Sequence, residues 1–327
     1  MKQNANVALA DRLKRLAKGA LYQAGILRAW HRRRNRGFLT VVGFHRVLSP
    51  VDPRYPGSNP AYTVTPAELD RCLALLRSFY SFVTIKDVID ARAARRALPP
   101  YPLLVTFDDG WRDNLEYALP VLKRHRVRAV VFVATGFIGS DKGFWQEEVY
   151  DGVRRGRFAA ADADALVAEL NAMPREARTS RLSQYPPAQD LPARMAGVQD
   201  LLALRSAGVA IGGHGHSHEP ITSLANPADE FARCRAALRA IEPADEPLPF
   251  SFPHGRLDDS LVAIAHQRGF DPLFTSAHEL VATTALAQCG TIGRIEMDLQ
   301  SMRRGRAGFD AASFLHFVLS QPRRSSP

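Results

Sequence analysis

The sequence reads as a parallel α/β sheet, closed or nearly closed into a barrel. Three observations carry that reading. Short β-prone apolar segments alternate with helical ones along most of the 327 residues. Seven or eight such strands can be counted, without internal sequence repeats. The acids and histidines richest in chemistry stand just after the C-terminal ends of these strands, where the loops of parallel barrels gather their functional groups. An open doubly wound sheet is the structural alternative, and no G-x-G-x-x-G supports it.

Taken in order, residues 38–44 form a first buried strand ending in His45-Arg46-Val47. A loop rich in Pro and Gly follows, and Thr65 with Glu68 makes a capping box before a helix over 69–79. Residues 82–85 read as a second strand and 87–94 as a short helix. The third strand, Leu103-Leu104-Val105, runs into Thr106-Phe107-Asp108-Asp109-Gly110, and a helix is expected over 114–125. Residues 127–134 make a strongly apolar fourth strand. The stretch 141–200 is polar, alanine-rich and helical, and reads as an insertion that covers or borders the site. A helix over 198–206 leads to a strand at 209–211 and then to His214-Gly215-His216-Ser217-His218. A helix over 229–241, a strand at 248–252 ending in Pro253-His254-Gly255, a helix over 261–268 and a strand at 272–275 come next. A last strand at 291–297 and a closing helix over 309–319 complete the pattern.

The net charge of +10 is concentrated at one end. Residues 1–37 hold ten basic side chains, including the Arg32-Arg33-Arg34 run, against the single acid Asp11. The rest, 38–327, is one nearly neutral catalytic-sized domain. Leu9, Leu13, Leu16, Ala20, Ala24 and Leu27 fall at helical spacing, so the segment reads as a basic amphipathic arm. Its charges break any apolar stretch, so it reads as a poor signal peptide, and no 18-residue apolar run exists to span a membrane. An anionic membrane surface is the expected partner of this arm, with a solvated arm as the alternative. No nucleic acid is expected, since aromatic interleaving and known recognition motifs are missing. Cys72, Cys234 and Cys289 are scattered and odd in number, which indicates no disulfide framework and points to a reducing compartment. Together these predict a cytoplasmic protein, peripheral on the inner face of the membrane.

The chemistry lies in the two motifs. His214 and His218, four apart at a strand end, can converge on one centre. With Asp109 they would make a two-histidine, one-carboxylate set that leaves positions open on a divalent metal, for which Zn2+ is the expected ion. Asp108 would then stand beside the metal, able to take a proton from a bound water. His216, between the two ligands, is a bystander.

These residues resemble the polysaccharide deacetylases (carbohydrate esterase family 4). The resemblance runs from about Phe38 to Met297 and includes Phe44-His45-Arg46-Val47 and Thr135-Gly136-Phe137-Ile138-Gly139. It implies a distorted (β/α) barrel of about seven parallel strands, with Asp108 as base and Asp109, His214 and His218 as metal ligands. It also implies removal of an N-acyl group, most simply N-acetyl, from an amino sugar in a glycan or lipid-linked glycan precursor. A deformylase or amidase on a lipid-linked amino sugar, or a non-catalytic sugar-binding member, are the alternatives. Two departures stand out. The family's third motif is replaced by Ser251-Phe252-Pro253-His254-Gly255, without its arginine, so Arg294 is the candidate to supply the missing guanidinium. The late leucine-x-histidine motif, source of the general acid, is missing, so His254 and His45 are the candidates to protonate the leaving amine. Thr106, Gly110, Pro253 and Arg294 complete the expected substrate or oxyanion contacts.

Overall fold

A computed structural model describes residues 2–141, 143–158, 162–185, 194–242, 248–298 and 309–326, with side chains from residue 13 onward. Parts of the expected insertion, 159–161 and 186–193, lie outside the described residues.

Strand β1 (Phe38–Phe44) is buried along its whole length except at Phe38. Unbroken apolar burial is what a parallel strand covered on both faces requires. Ahead of it lie helices α1 (Lys2–Gln23) and α2 (Ile26–Arg34). After it, β2 (Arg46–Val47) pairs with β3 (Thr63–Val64). Helix α3 (Pro66–Arg77) opens on the expected Thr65–Glu68 capping box. Strand β4 (Ser81–Phe82) is shorter than expected, because Thr84 instead caps α4 (Ile85–Arg92) in a second capping box with Asp87. Strand β5 (Pro102–Phe107) ends at the Asp-Asp motif, and a π-helical turn, Asn114–Ala118, leads into α5 (Leu119–Arg124). Strand β6 (Val130–Val133) is followed by the insertion helices α6 (Trp145–Arg154), α7 (Ala163–Asn171) and α8 (Arg175–Leu182). Next come α9 (Val198–Ser206), β7 (Ala210–Gly213), α10 (Pro227–Leu238) and β8 (Leu248–Ser251). Then follow α11 (Asp259–Gln267), β9 (Phe270–Thr275) and β10 (Leu280–Ala282). Two-residue strands β11 (Ile292–Gly293) and β12 (Ile295–Glu296), helix α12 (Ala311–Leu319) and β13 (Arg323–Arg324) complete the described elements.

The main sheet runs β11-β9-β8-β7-β6-β5-β1-β10-β13. Every pairing from β11 to β1 is parallel, and β10 meets β1 antiparallel, so the sheet is mixed at one side. The expected last strand is split in two by Arg294. Its first half pairs with β9 and its second half with β1, joining the two sides of the curled sheet. The result is the distorted (β/α) barrel expected from the sequence, with β1, β5, β6, β7, β8, β9 and the split strand as its staves.

Alternate strand residues enter separate cores, as the two-residue side-chain period demands. Val42, Val105 and Val131 pack in one cluster, and Val41, Leu104 and Val130 in another. Helix α2 belongs to this body. Leu27 and His31 are buried, His31 Nε2–H donates to the Phe79 carbonyl at 3.0 Å, and Asn35 Nδ2–H donates to the Leu319 carbonyl at 3.0 Å. Cys72, Cys234 and Cys289 are buried free thiols. No described helix is long and apolar enough to cross a membrane.

Candidate active site

The barrel register puts the functional residues on one rim. Phe44 pairs with Phe107, Phe107 with Val131, Val133 with Gly213, and Ser251 with Phe274. His45, Asp108 and His214 each stand one residue beyond such a position. They surround a cavity of about 510 Å³ together with Asp109, His218 and His254. Phe144, Gln146, Glu147, Val167 and Asn171 from the insertion line the same cavity, so the insertion borders the site.

Asp109, His214 and His218 meet there. His218 Nε2 is 3.1 Å and His214 Nε2 is 3.6 Å from Asp109 Oδ1, and the donor atoms of all three lie within 4.8 Å of one another. Neighbours fix each group from behind. His214 Nδ1–H donates to the Ser251 carbonyl at 2.8 Å, which sets the tautomer and leaves the Nε2 lone pair facing Asp109. Trp111 Nε1–H donates to Asp109 Oδ2 at 2.8 Å, leaving Oδ1 toward the imidazoles. The Phe144 ring stacks on His218 at 3.8 Å. Behind Trp111, the buried Arg46 guanidinium sits 4.2 Å over its ring and is ion-paired with Asp113 and Glu147.

The backbone is bent to make this convergence. Asp109 has φ 81°, and Gly110 follows at φ 83°, where a Cβ would stand 2.9 Å from Val133 Cγ1. His218 is also left-handed, at φ 58°. Such conformations in non-glycine residues persist where the surroundings over-determine them, and they cluster at functional sites. Buried Glu230 clamps the histidine loop, its Oε1 accepting from His216 N at 2.7 Å, Ser217 N at 2.6 Å and Ser217 Oγ at 3.0 Å. His216 itself pairs with Thr135 Oγ1 at 3.0 Å and is not among the cavity-lining residues.

The charges suit metal binding. Burial opposes ionisation of Asp109, but His218 and its hydrogen bond outweigh it and hold the carboxyl below the usual carboxylate range. Burial lowers the His214 pKa to about 4, so the ring is neutral at pH 7, the form that ligates a metal. Two imidazole nitrogens and one carboxylate oxygen, each held by a second hydrogen bond or a stacked ring, form the donor set that zinc accepts with a position left open.

Asp108 is held by a guanidinium from across the barrel. Arg294 Nη1 and Nη2 donate to Asp108 Oδ1 and Oδ2, both at 2.6 Å, and both side chains are almost wholly buried. Burial raises the Asp108 carboxyl, and Arg294 more than reverses that, so it lies below its ordinary value. The guanidinium missing from Ser251 is thus supplied by the break between β11 and β12. Thr106 Oγ1 supports it, accepting from Arg294 Nη1 at 3.2 Å while donating to the Val42 carbonyl at 3.0 Å.

The remaining expected residues divide. His45 lines the cavity, its ring 4.6 Å from Tyr62. His254 also lines it, at φ 57°, with Nε2–H donating to the His218 carbonyl at 3.1 Å. Thr106, Gly110, Pro253 and Arg294 do not line the cavity. They stand behind its wall: Thr106 and Arg294 hold Asp108, Gly110 makes the turn, and buried Pro253 packs beside Gly215 without an N–H to offer. Trp111, Glu230 and Glu296 were not singled out by sequence. Trp111 directly follows Asp108-Asp109-Gly110, and that adjacency was the available signal.

The rim of the barrel thus gathers an Asp-His-His set beside a carboxylate braced by Arg294. The family model described as polysaccharide deacetylase matches residues 95–273, more than half of the chain, and the chain belongs to that family. Among solved structures, IcaB from Ammonifex degensii is similar at TM-score 0.57 and 21% identity, covering 85% of this chain and 97% of that one. The Streptococcus pyogenes deacetylase PplD, in complex with acetate, gives TM-score 0.55 at 15% identity over 80% of this chain and 93% of its own. A de-N-acetylase from Aggregatibacter actinomycetemcomitans gives TM-score 0.54 at 15% identity over 85% and 99%. At these identities the likeness is one of fold. A comparison with curated proteins returned no significant match.

Proposed function

We propose that the protein is a metal-dependent hydrolase that removes an N-acyl group, most simply acetate, from an amino sugar in a glycan or lipid-linked glycan precursor. The observation that carries this reading is Asp108, locked by Arg294 beside the Asp109–His214–His218 set in one cavity. A fold that only bound sugar would have no use for a braced, buried base in that place.

Asp109, His214 and His218 are the residues that would hold a divalent ion, and Zn2+ suits their N and O donors best. Such an ion, when bound, supplies Lewis acidity to the acyl carbonyl and lowers the pKa of water. Asp108 accepts the proton of the attacking water, and Arg294 keeps it ionised and oriented until that moment. The backbone N–H of His254 is the proposed oxyanion donor, since Pro253 has none. The leaving amine takes its proton from a group on the cavity wall, where His45 and His254 stand. The test is acetate release from N-acetylglucosamine oligomers by purified protein. Asp108→Asn should lower the rate about 10²-fold or more with bound metal unchanged. A rate within threefold of wild type would exclude Asp108 as the base.

The N-terminal helices suggest where the substrate is met. Leu13, Leu16, Ile26 and Trp30 are exposed beside exposed Lys14, Arg15, Arg32 and Arg33, a mixture suited to the anionic inner face of a membrane. Deleting residues 2–24 removes Leu13, Lys14, Arg15 and Leu16 but keeps Ile26, Trp30, Arg32 and Arg33, so it should weaken co-sedimentation with phosphatidylserine vesicles while activity on a soluble oligomer remains. Undiminished sedimentation would exclude this surface.

A further inference from the structure

The proposed reaction needs a proton for the leaving nitrogen, and the cavity wall carries a carboxylate with no role so far. Glu296 lies on β12, two residues after Arg294, and pairs with Gly43 of β1. A Cβ at Gly43 would stand 2.7 Å from Glu296 Oε2, so a larger residue there would push this carboxylate aside. Glu296 lines the cavity with its side chain partly exposed there, and its two carboxylate oxygens, tucked against the wall, accept no hydrogen bond among the described residues. Its charged neighbour is Arg294, whose Nη2 lies 3.0 Å from Oε1.

Two carboxylates therefore share one guanidinium, and unequally. Asp108 receives both aligned N–H groups at 2.6 Å, whereas Glu296 has only the longer, unaligned contact. The hydrogen bonds favour the ionised form of Asp108, and burial beside that anion favours the protonated form of Glu296. The other groups facing Glu296 are His45 after β1, His278 after β9 and the Tyr62 phenol. Burial and the Asp108 charge together raise the Glu296 carboxyl above its ordinary value against Arg294, His45 and His278. His45, Asp108 and Glu296 also have donor atoms within 4.8 Å of one another, the spacing of a second cation site. Arg294, bound to Asp108 and touching Glu296, already supplies the positive charge there, so the cluster is built to hold a proton.

We propose that Glu296 is the general acid that protonates the departing amine; this rests on the hydrolase reading above. In the attack, the water oxygen bonds to the acyl carbon, its proton goes to Asp108, and the carbonyl π pair moves to oxygen. In the collapse, C=O re-forms and the C–N bond breaks. Its electron pair stays on nitrogen, which takes the Glu296 proton. Asp108 then returns its proton to Glu296, with His45 in reach of both, and the pair is reset. The carboxylic acid product gives its own proton to solvent.

The test compares two leaving groups. The amine of an N-acetylglucosamine pentamer must leave protonated, whereas the nitrophenolate of 4-nitrophenyl acetate leaves without a proton. In Glu296→Gln the ratio of pentamer to ester hydrolysis should fall about 10²-fold or more. Zinc per chain should stay at the wild-type level, and Glu296→Asp, which keeps an acid, should recover part of the ratio. Asp108→Asn should lower both rates. An equal fall on both substrates, or a pentamer rate within threefold of wild type, overturns the assignment. Wild-type protein that splits the ester but no N-acyl glycan instead contradicts the functional reading, and removes the need for this acid.

Discussion

Replacing Arg294 with Met removes the only guanidinium that meets Asp108 among the described residues. Arg294 is 0% exposed and Asp108 2%, so water does not substitute for the lost partner. Breaking a buried pair from one side leaves an uncompensated charge and costs about 3–5 kcal/mol. Asp108→Asn removes the anion but leaves Arg294 with Glu296 at 3.0 Å, and its cost should be nearer the value of one charged hydrogen bond, about 2 kcal/mol. The double variant carries neither charge. Its loss should therefore fall short of the sum of the single losses by about 2–3 kcal/mol, the coupling typical of residues in direct contact. Urea unfolding of the metal-free proteins, followed by far-ultraviolet circular dichroism, measures all four corners. Arg294→Lys should lie between wild type and Arg294→Met, because an ammonium keeps the charge but not the two-pronged geometry. Additivity within about 0.5 kcal/mol would refute the claim that these two residues form one buried unit.

Two further outcomes follow from the surrounding shell. Trp111→Phe deletes the N–H that fixes Asp109 Oδ2 and should weaken zinc binding about 10–100-fold, read by competition with a chromogenic chelator; unchanged affinity would mean the indole only fills space. His31 lies on the buried face of α2 with a pKa lowered from 6.5 to about 4, first by burial and then by the nearby Arg28 and Arg32 charges. Between those values the unfolded chain holds a proton that the folded one does not. Stability should therefore drop as the pH falls from 6.5 toward 4, by up to roughly 3 kcal/mol from this group. His31→Gln should flatten that part of the pH–stability curve, and an unchanged slope would remove His31 as its source.

Local grammar was legible where one segment settles the matter alone. The Thr65–Glu68 capping box, the apolar strand 38–44 and the two strand-end motifs are all read from neighbours in sequence. The strand expected over 82–85 stops at Phe82 because Thr84 and Asp87 form a cap that draws Ile85 into the helix, against the β-branched character of Val83, Thr84 and Ile85. The split strand was hard to read for a different reason: two-residue halves carry no periodicity, and their partners lie on opposite sides of the barrel. The same closure brings Arg294 and Glu296 to Asp108, so their roles depend on topology. Most of the metal set is thus written in local motifs, while the groups that tune its proton traffic are assembled only when the barrel closes.

The central claim is that Asp109, His214 and His218 hold a divalent ion on which acyl hydrolysis depends. The most direct measurement is acetate release from an N-acetylglucosamine oligomer by chelator-stripped protein as Zn2+ is titrated back. The account predicts no release from the stripped protein and recovery that saturates at one ion per chain, with His214→Ala and His218→Ala failing to recover at that dose. Full activity after complete removal of the metal would contradict it.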